Sequence, residues 1–211
     1  MPERSPWKPK RPLFIGLAGG SGSGKTTIAE SVVERLDGRV SLLQHDAYYC
    51  HQPELSYEER TRVNYDHPSS LETELLVEHL GRLRSGVAIE KPVYDFATHL
   101  RSDESHRVEP APVVLVEGIL VLSEPELRSE LDLKIFVDTD ADLRLARRLE
   151  RDINDRGRTV DSVIDQYFAS VRPMHLEFVA PSRRYADLII PEGYNPAAVA
   201  TVVELIRSRL N

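Results

Sequence analysis

Short apolar runs alternate along this chain with longer stretches whose apolar positions recur three and four residues apart, a pattern that predicts strands and helices in turn. "LFIGLAGG", starting near Pro12, is a strand that ends in glycines, and "TTIAESVVERL" follows as a helix. "VSLLQHD" predicts a second strand ending on Asp46, and "LETELLVEHLGRLRSG" a helix with glycine where it stops. "PVVLVEGIL" is the continuous apolar run of a strand buried on both faces. "LKIFVDTDADLRLARRLERDI" reads as a strand and then a helix, with Asp138, Thr139 and Asp140 near the helix start. "ADLIIP" and "PAAVATVVELIRSRL" repeat the unit.

Five strand-like runs alternating with helices imply an α/β fold of the doubly wound kind, with a mostly parallel five-stranded sheet, helices on both faces and ligands at the carboxyl ends of the strands. Two segments break the alternation. "KPVYDFATHLRSDESHRVEP" predicts a β-hairpin excursion over about 91–109, and "RDINDRGRTV" a mobile turn between helices over about 151–160.

A length of 211 residues allows one substantial core, so one domain is expected over 12–211, with 1–11 as a flexible lead-in rich in proline and basic residues. Apolar (41%) and charged (29%) contents are those of an ordinary globular chain. A net charge of -7 argues against a general nucleic-acid surface, although 22 of the 27 cationic side chains are arginines that could build local anion sites. Cys50 is the only cysteine, which excludes an intrachain disulfide and favours the cytoplasm. No apolar leader follows Met1, and the strongest apolar run, "VVLVEGILVL", is short and carries Glu117, so neither signal peptide nor membrane span is expected.

The chemistry begins in "GLAGGSGSGKTT". Gly19 to Thr26 fits G-x-x-x-x-G-K-[ST] directly between a strand and a helix, the context that turns this spacing into a phosphate loop. Gly19, Gly22 and Gly24 let backbone N–H groups converge on phosphate oxygens, Lys25 reaches the terminal phosphates and Thr26 supplies a hydroxyl for Mg²⁺. Asp46 and Glu117, each ending a strand, are the carboxylates expected to overlook the loop and the metal. Asp46 could instead cap a turn, the less favoured alternative; Glu117, at the end of so apolar a run, needs a partner. A GTPase switch is disfavoured: none of Lys8, Lys10, Lys25, Lys91 and Lys134 follows an asparagine, so N-K-x-D is absent, and "VEGIL" lacks D-x-x-G.

Taken in order from about Leu13 to Pro191, "GGSGSGKTT", "NYDHP", "PVYDF", "LVEGIL", "FVDTDADLRLARRLERDINDRGR" and "SRRYADLIIP" resemble the uridine kinases, also called uridine-cytidine kinases, within the uridine kinase and phosphoribulokinase group. The resemblance implies a P-loop kinase with an arginine-rich lid that phosphorylates uridine and cytidine at the 5′-hydroxyl, giving UMP and CMP, with ATP as donor and Mg²⁺. It implies donor contacts from Gly19, Gly20, Ser21, Gly22, Ser23, Gly24, Lys25, Thr26, Thr27 and Asn195. Asp46 matches the aspartate that activates the hydroxyl, and Tyr49 an aromatic beside it. Asp66 matches the carboxylate that accepts from the ribose diol, and Tyr94 and His99 the pyrimidine-reading pair. Arg148, Arg158 and Gln166 match nucleoside contacts, and Arg151 and Arg156 lid arginines that meet the donor's phosphates.

Helix spacing alone leaves another reading for the arginines, because Asp152 and Asp155 stand four residues after Arg148 and Arg151 and could simply pair with them. His99 in a polar loop could simply be solvated, and Asp66 before His67-Pro68 could cap a turn. After the last strand, "PEGYN" departs from the basic or neutral residue expected at Glu192, which leaves ATP against GTP open. A homotetramer and feedback by CTP or UTP are further implications of the resemblance. The rivals are a kinase for another small alcohol, such as a sugar phosphate or pantothenate, and a nucleotide-binding regulator or ATPase without an acceptor.

Overall fold

The computed structural model describes residues 11–210, so the expected lead-in lies, apart from Arg11, outside the described residues. In chain order the elements are β1 (Leu13–Gly19), α1 (Lys25–Arg35), β2 (Val40–Gln44), α2 (Tyr57–Thr61), α3 (Thr73–Arg84), β3 (Ile89–Asp95), β4 (Leu100–Val108), β5 (Val113–Gly118) and α4 (Pro125–Ser129). They continue as β6 (Leu133–Asp138), α5 (Ala141–Asn154), α6 (Val160–Gln166), α7 (Arg172–Met174), α8 (Ala180–Ser182), β7 (Leu188–Pro191) and α9 (Pro196–Leu210).

Five strands form one parallel sheet in the order β2-β5-β1-β6-β7. Alternation along the strands sends side chains to two separate cores. Phe14, Val114, Val116, Leu43 and Phe136 pack with Leu76, Leu80 and Leu83 of α3 and Leu127 of α4. Ile15, Leu17, Val113, Leu115, Ile135 and Val137 pack on the other face with Ile28 and Val32 of α1 and Val199, Val203 and Ile206 of α9. Both faces being covered is why β1 and β5 read as unbroken apolar runs: every residue of each is buried. Truncating a side chain such as Leu115, 2% exposed, to alanine should cost about 2–5 kcal/mol.

β1 connects outward to β2 and β5 in the opposite direction to β6, so a crevice opens where the two adjacent strands end. In register, Leu17 lies beside Glu117 and Ala18 beside Gly118, which brings the glycine loop after β1 next to the end of β5.

Two details differ from the sequence expectation, and a third lies in a segment for which the sequence pattern gives none. β2 stops at Gln44, and a 3-10 turn, His45–Tyr48, carries Asp46 instead. The turn is pinned by His45, 1% exposed, whose backbone-proximal carbon fills the space over Gly118 where any other side chain would stand. The hairpin forms from β3 and β4 but begins earlier than Lys91, at Ile89. Finally, the chain from Val160 to Tyr185 is a nearly continuous helical run in which π turns, Tyr167–Val171 and His175–Val179, precede Pro173 and Pro181. A proline cannot donate to the preceding turn, and its ring clashes with a carbonyl at ordinary α spacing; the wider turn accommodates both.

Candidate active site

The donor side is backbone. The loop leaves β1 and enters α1 through Gly22 and Gly24, whose φ values of 79° and 89° lie in the left-handed region that favours glycine. α1 starts on Gly24 with no side-chain cap and no acidic residue in its first turn, so its leading N–H groups are left for an anion. Lys25 and Thr26, the first two residues of the helix, line a cavity of about 900 Å³.

Three carboxylates line that cavity, Glu117, Asp46 and Asp66. Glu117 accepts the Thr26 hydroxyl at 3.3 and 3.4 Å on its two oxygens. Burial pushes its carboxyl above the usual value; Lys25 opposes that rise and Asp46 adds to it. Asp46 lines the same cavity from the 3-10 turn. Thr26, Glu117 and Asp46 form an all-oxygen donor set of hydroxyl and carboxylates, and among the described residues no cluster of three His, Cys, Asp or Glu ligands exists. That is the donor set of a hard cation that keeps water and phosphate in its shell, and it fits Mg²⁺.

The acceptor side is aromatic. Tyr49, Tyr65 and Tyr94 meet at ring-centroid separations of 5.1 to 6.3 Å, and His99 stacks on Tyr65 at 5.0 Å with 12° between planes. The phenol oxygens of Tyr65 and Tyr94 are buried without a hydrogen-bond partner. His99 sits at the hairpin tip with φ 56°, a backbone state uncommon for histidine. Burial, reinforced by Arg60 and Arg158, lowers its pKa, so the ring is neutral at pH 7. Burial raises the pKa of Asp66, against the pull of Arg148, Lys25 and Arg151.

The hairpin is tied to its neighbours by charged side chains. Arg101 pairs with Glu72 at 2.8 Å and donates to the Tyr48 carbonyl at 3.0 Å, while Lys91 donates to Gln44 Oε1 at 2.6 Å.

α5 closes the cavity with an inverted face. Its fully buried positions, Arg144, Arg148 and Asp152, are charged and four residues apart, while Leu143 and Ile153 stand exposed. Asp152, 0% exposed, gathers four guanidinium groups: Arg151 at 2.7 Å, Arg148 at 3.5 Å, and Arg156 and Arg158 at 3.6 Å each. The pairing of Arg148 and Arg151 with a helix neighbour therefore occurs, through Asp152 alone; Asp155 is exposed. One carboxylate against four arginines leaves the cluster positive, and Arg148, Arg151, Arg156 and Arg158 all line the cavity. Arg148 also donates to Ser21 of the glycine loop and to Gln166, each at 2.9 Å, and Arg158 bonds the same Gln166 oxygen.

The cavity thus brings together Ser21, Lys25, Thr26, Asp46, Tyr49, Asp66, Tyr94, His99, Glu117, Arg148, Arg151, Arg156, Arg158 and Gln166. Gly19, Gly20, Gly22, Ser23, Gly24 and Thr27 lie in or beside the loop without lining it, and Asn195 caps α9 by accepting from Ala197 and Ala198 at 2.9 and 3.3 Å. Sequence reasoning passed over Tyr65, although it stands inside the quoted "NYDHP", and gave Asp152 only a pairing role. Lys91 was passed over too, having no neighbour in sequence that marks it.

A parallel sheet with a glycine cradle leading into a helix, opposed by one carboxylate at the end of β5 and another in the turn after β2, defines a P-loop kinase fold. Solved structures agree on the fold: a putative fructose transport system kinase from Silicibacter sp. TM1040 superposes with TM-score 0.69 at 20% identity, covering 90% of this chain and 93% of that one. Phosphoribulokinase from Rhodobacter spheroides gives 0.66 at 17%, covering 87% and 71%. Sequence similarity is much closer to proteins named uridine kinase. The one from Clostridium botulinum (strain 657 / Type Ba4) is 52% identical over 203 residues, 95% of this chain and 98% of its own. That of Halalkalibacterium halodurans is 53% identical over 201, 94% and 95% respectively. Residues 14–197 match the phosphoribulokinase / uridine kinase family, and the chain belongs to it.

Proposed function

We propose that the protein transfers the γ-phosphoryl of ATP to the 5′-hydroxyl of uridine and cytidine, giving UMP or CMP and ADP. The observation that carries this reading is one cavity with the phosphate loop and paired carboxylates on one side and a neutral histidine in an aromatic wall on the other. An aromatic wall packs a pyrimidine, and a neutral imidazole can donate or accept, so it serves O4 of uracil and N4 of cytosine alike.

In this reading the loop amides and Lys25 hold the triphosphate, and Asp66 accepts from the ribose hydroxyls. Asp46 takes the proton of the 5′-hydroxyl as that oxygen bonds to the γ-phosphorus and the bond to the bridging oxygen of ADP breaks. Arg151 and Arg156 stabilise charge on the phosphoryl in transit, and Arg148, Arg158 and Gln166 fix the nucleoside. Thr26, Asp46 and Glu117 would hold Mg²⁺, which neutralises charge on the donor's phosphates. Movement of the arginine-bearing segment over bound substrates would exclude water and suppress wasteful ATP hydrolysis. A cytoplasmic, homotetrameric enzyme goes with this reading; among the described residues no helix is long and apolar enough to cross a membrane.

The test is ADP release by the full chain with Mg-ATP. Stimulation by uridine and cytidine, with one UMP or CMP per ADP, is expected. Stimulation by another alcohol instead, or only a basal rate, contradicts the reading.

A further inference from the structure

Behind the phosphate loop lies a cation with no carboxylate in contact with it among the described residues. Arg144 is 6% exposed, and among the described residues no carboxylate lies within ion-pair distance of its guanidinium: Asp138, which pairs with Arg183 at 3.2 Å, and Asp140 act on its charge only from beyond contact. Its Nε donates to the Thr139 carbonyl at 3.0 Å, and the Thr139 hydroxyl donates to the Ser23 carbonyl at 3.1 Å, which joins the start of α5 to the loop.

The fit against the loop is tight. A Cβ on Gly20 would come within 2.6 Å of Arg144 Nη1 and 3.0 Å of its Cδ, and a Cβ on Gly22 would strike the Arg144 carbonyl. Gly20, unlike Gly19, Gly22 and Gly24, does not have the positive φ that makes a glycine necessary. What stands in the place of its side chain is Arg144.

With one carbonyl partner and carboxylates only at a distance, so little exposed a guanidinium is only partly offset, and a site keeps such a group where a further anion completes the balance. The anion this loop receives is a polyphosphate. We propose that Arg144 is a positioning residue for the phosphoryl donor: it braces the Gly20–Gly22 turn in its receiving shape and places fixed positive charge behind it. This rests on the reading of the donor as a nucleoside triphosphate. Arg148, one helical turn on, reaches Ser21 from the acceptor side at 2.9 Å, so the loop is held by α5 at two successive residues. Only Arg144 makes its contact outside the cavity.

Titrations of the full chain with ADP, inorganic tripolyphosphate and uridine test it. Arg144→Met keeps most of the volume and removes the charge. It should weaken ADP and tripolyphosphate alike by about 10-fold or more, the scale of one charge-assisted contact, and leave uridine affinity unchanged. ADP binding as tight as wild type overturns the proposal, and so does an equal loss for ADP and uridine, which would mark a general scaffold. If Arg144→Met does not fold, Arg144→Lys carries the same test: charge without the planar fork should weaken ADP measurably and leave uridine alone, and unchanged ADP affinity overturns it. Wild-type protein that binds neither ADP nor tripolyphosphate overturns the donor reading instead.

Discussion

In the proposed function the donor wall of the cavity is the phosphate loop and the acceptor wall a set of side chains on peripheral elements, and the two are held in different ways. The phosphate loop grows out of β1, a strand with no exposed residue, and is held by Arg144 and Thr139 from behind and by Arg148 from the cavity side. The acceptor wall is carried by a two-stranded hairpin outside the main sheet, by a 3-10 turn and by the chain after α5, and is tied down by ion pairs and ring contacts. A rigid backbone cradle recognises what every nucleoside triphosphate shares, while side chains on peripheral elements recognise what distinguishes one acceptor from another.

If the walls divide the work in this way, substitutions should separate cleanly. The largest effect belongs to the group that acts where the walls meet. Asp46→Asn should lower kcat by at least about 10²-fold while ATP still binds, as expected for loss of an acid–base group; near-normal turnover removes Asp46 from that role. Next comes the acceptor wall. His99→Leu should reduce kcat/KM for uridine and cytidine together by about 10- to 100-fold, with the KM for ATP unmoved. Equal kinetics on both nucleosides before and after substitution would remove the histidine from base reading. A smaller loss, about 10-fold in kcat/KM, is expected for 2′-deoxycytidine against cytidine if Asp66 holds the diol, and equal rates count against it.

The smallest effect concerns stability. His175 is held neutral, its pKa pushed down to about 4 by burial and by Arg144, against 6.5 for the free side chain. Between those values the unfolded chain binds a proton that the folded one refuses, so stability is full above pH 6.5 and declines as pH falls toward 4. Denaturant midpoints across that window should fall less steeply for His175→Gln, and an identical slope would show that the ring does not contribute.

The same division explains what could be read from the sequence. Strands buried on both faces, the glycine spacing and helices with one apolar side are local patterns, so β1, β5, β6 and the phosphate loop stood out at once. Strand order is not local: that β5 lies between β1 and β2 follows from where the crossovers pack. The end of β2 was misplaced by two residues, because Asp46 belongs to a turn pinned by the fit of His45 over Gly118. α5 was recognised as a helix, yet its buried face is Arg144, Arg148 and Asp152, which apolar periodicity cannot reveal. The pairing of Tyr65 with His99 joins residues from separate elements, and no spacing encodes it.

In the proposed function donor and acceptor occupy facing walls of one cavity, with the 5′-oxygen directed at the γ-phosphate. Affinity for a bisubstrate ligand, uridine joined through its 5′-oxygen by four phosphates to adenosine, measures this directly. The structure predicts binding at least about 10-fold tighter than either ADP or uridine, because one tether satisfies both walls, and loss of that gain when the link is moved to the 3′-oxygen. A 5′-linked ligand that binds no better than ADP would contradict it.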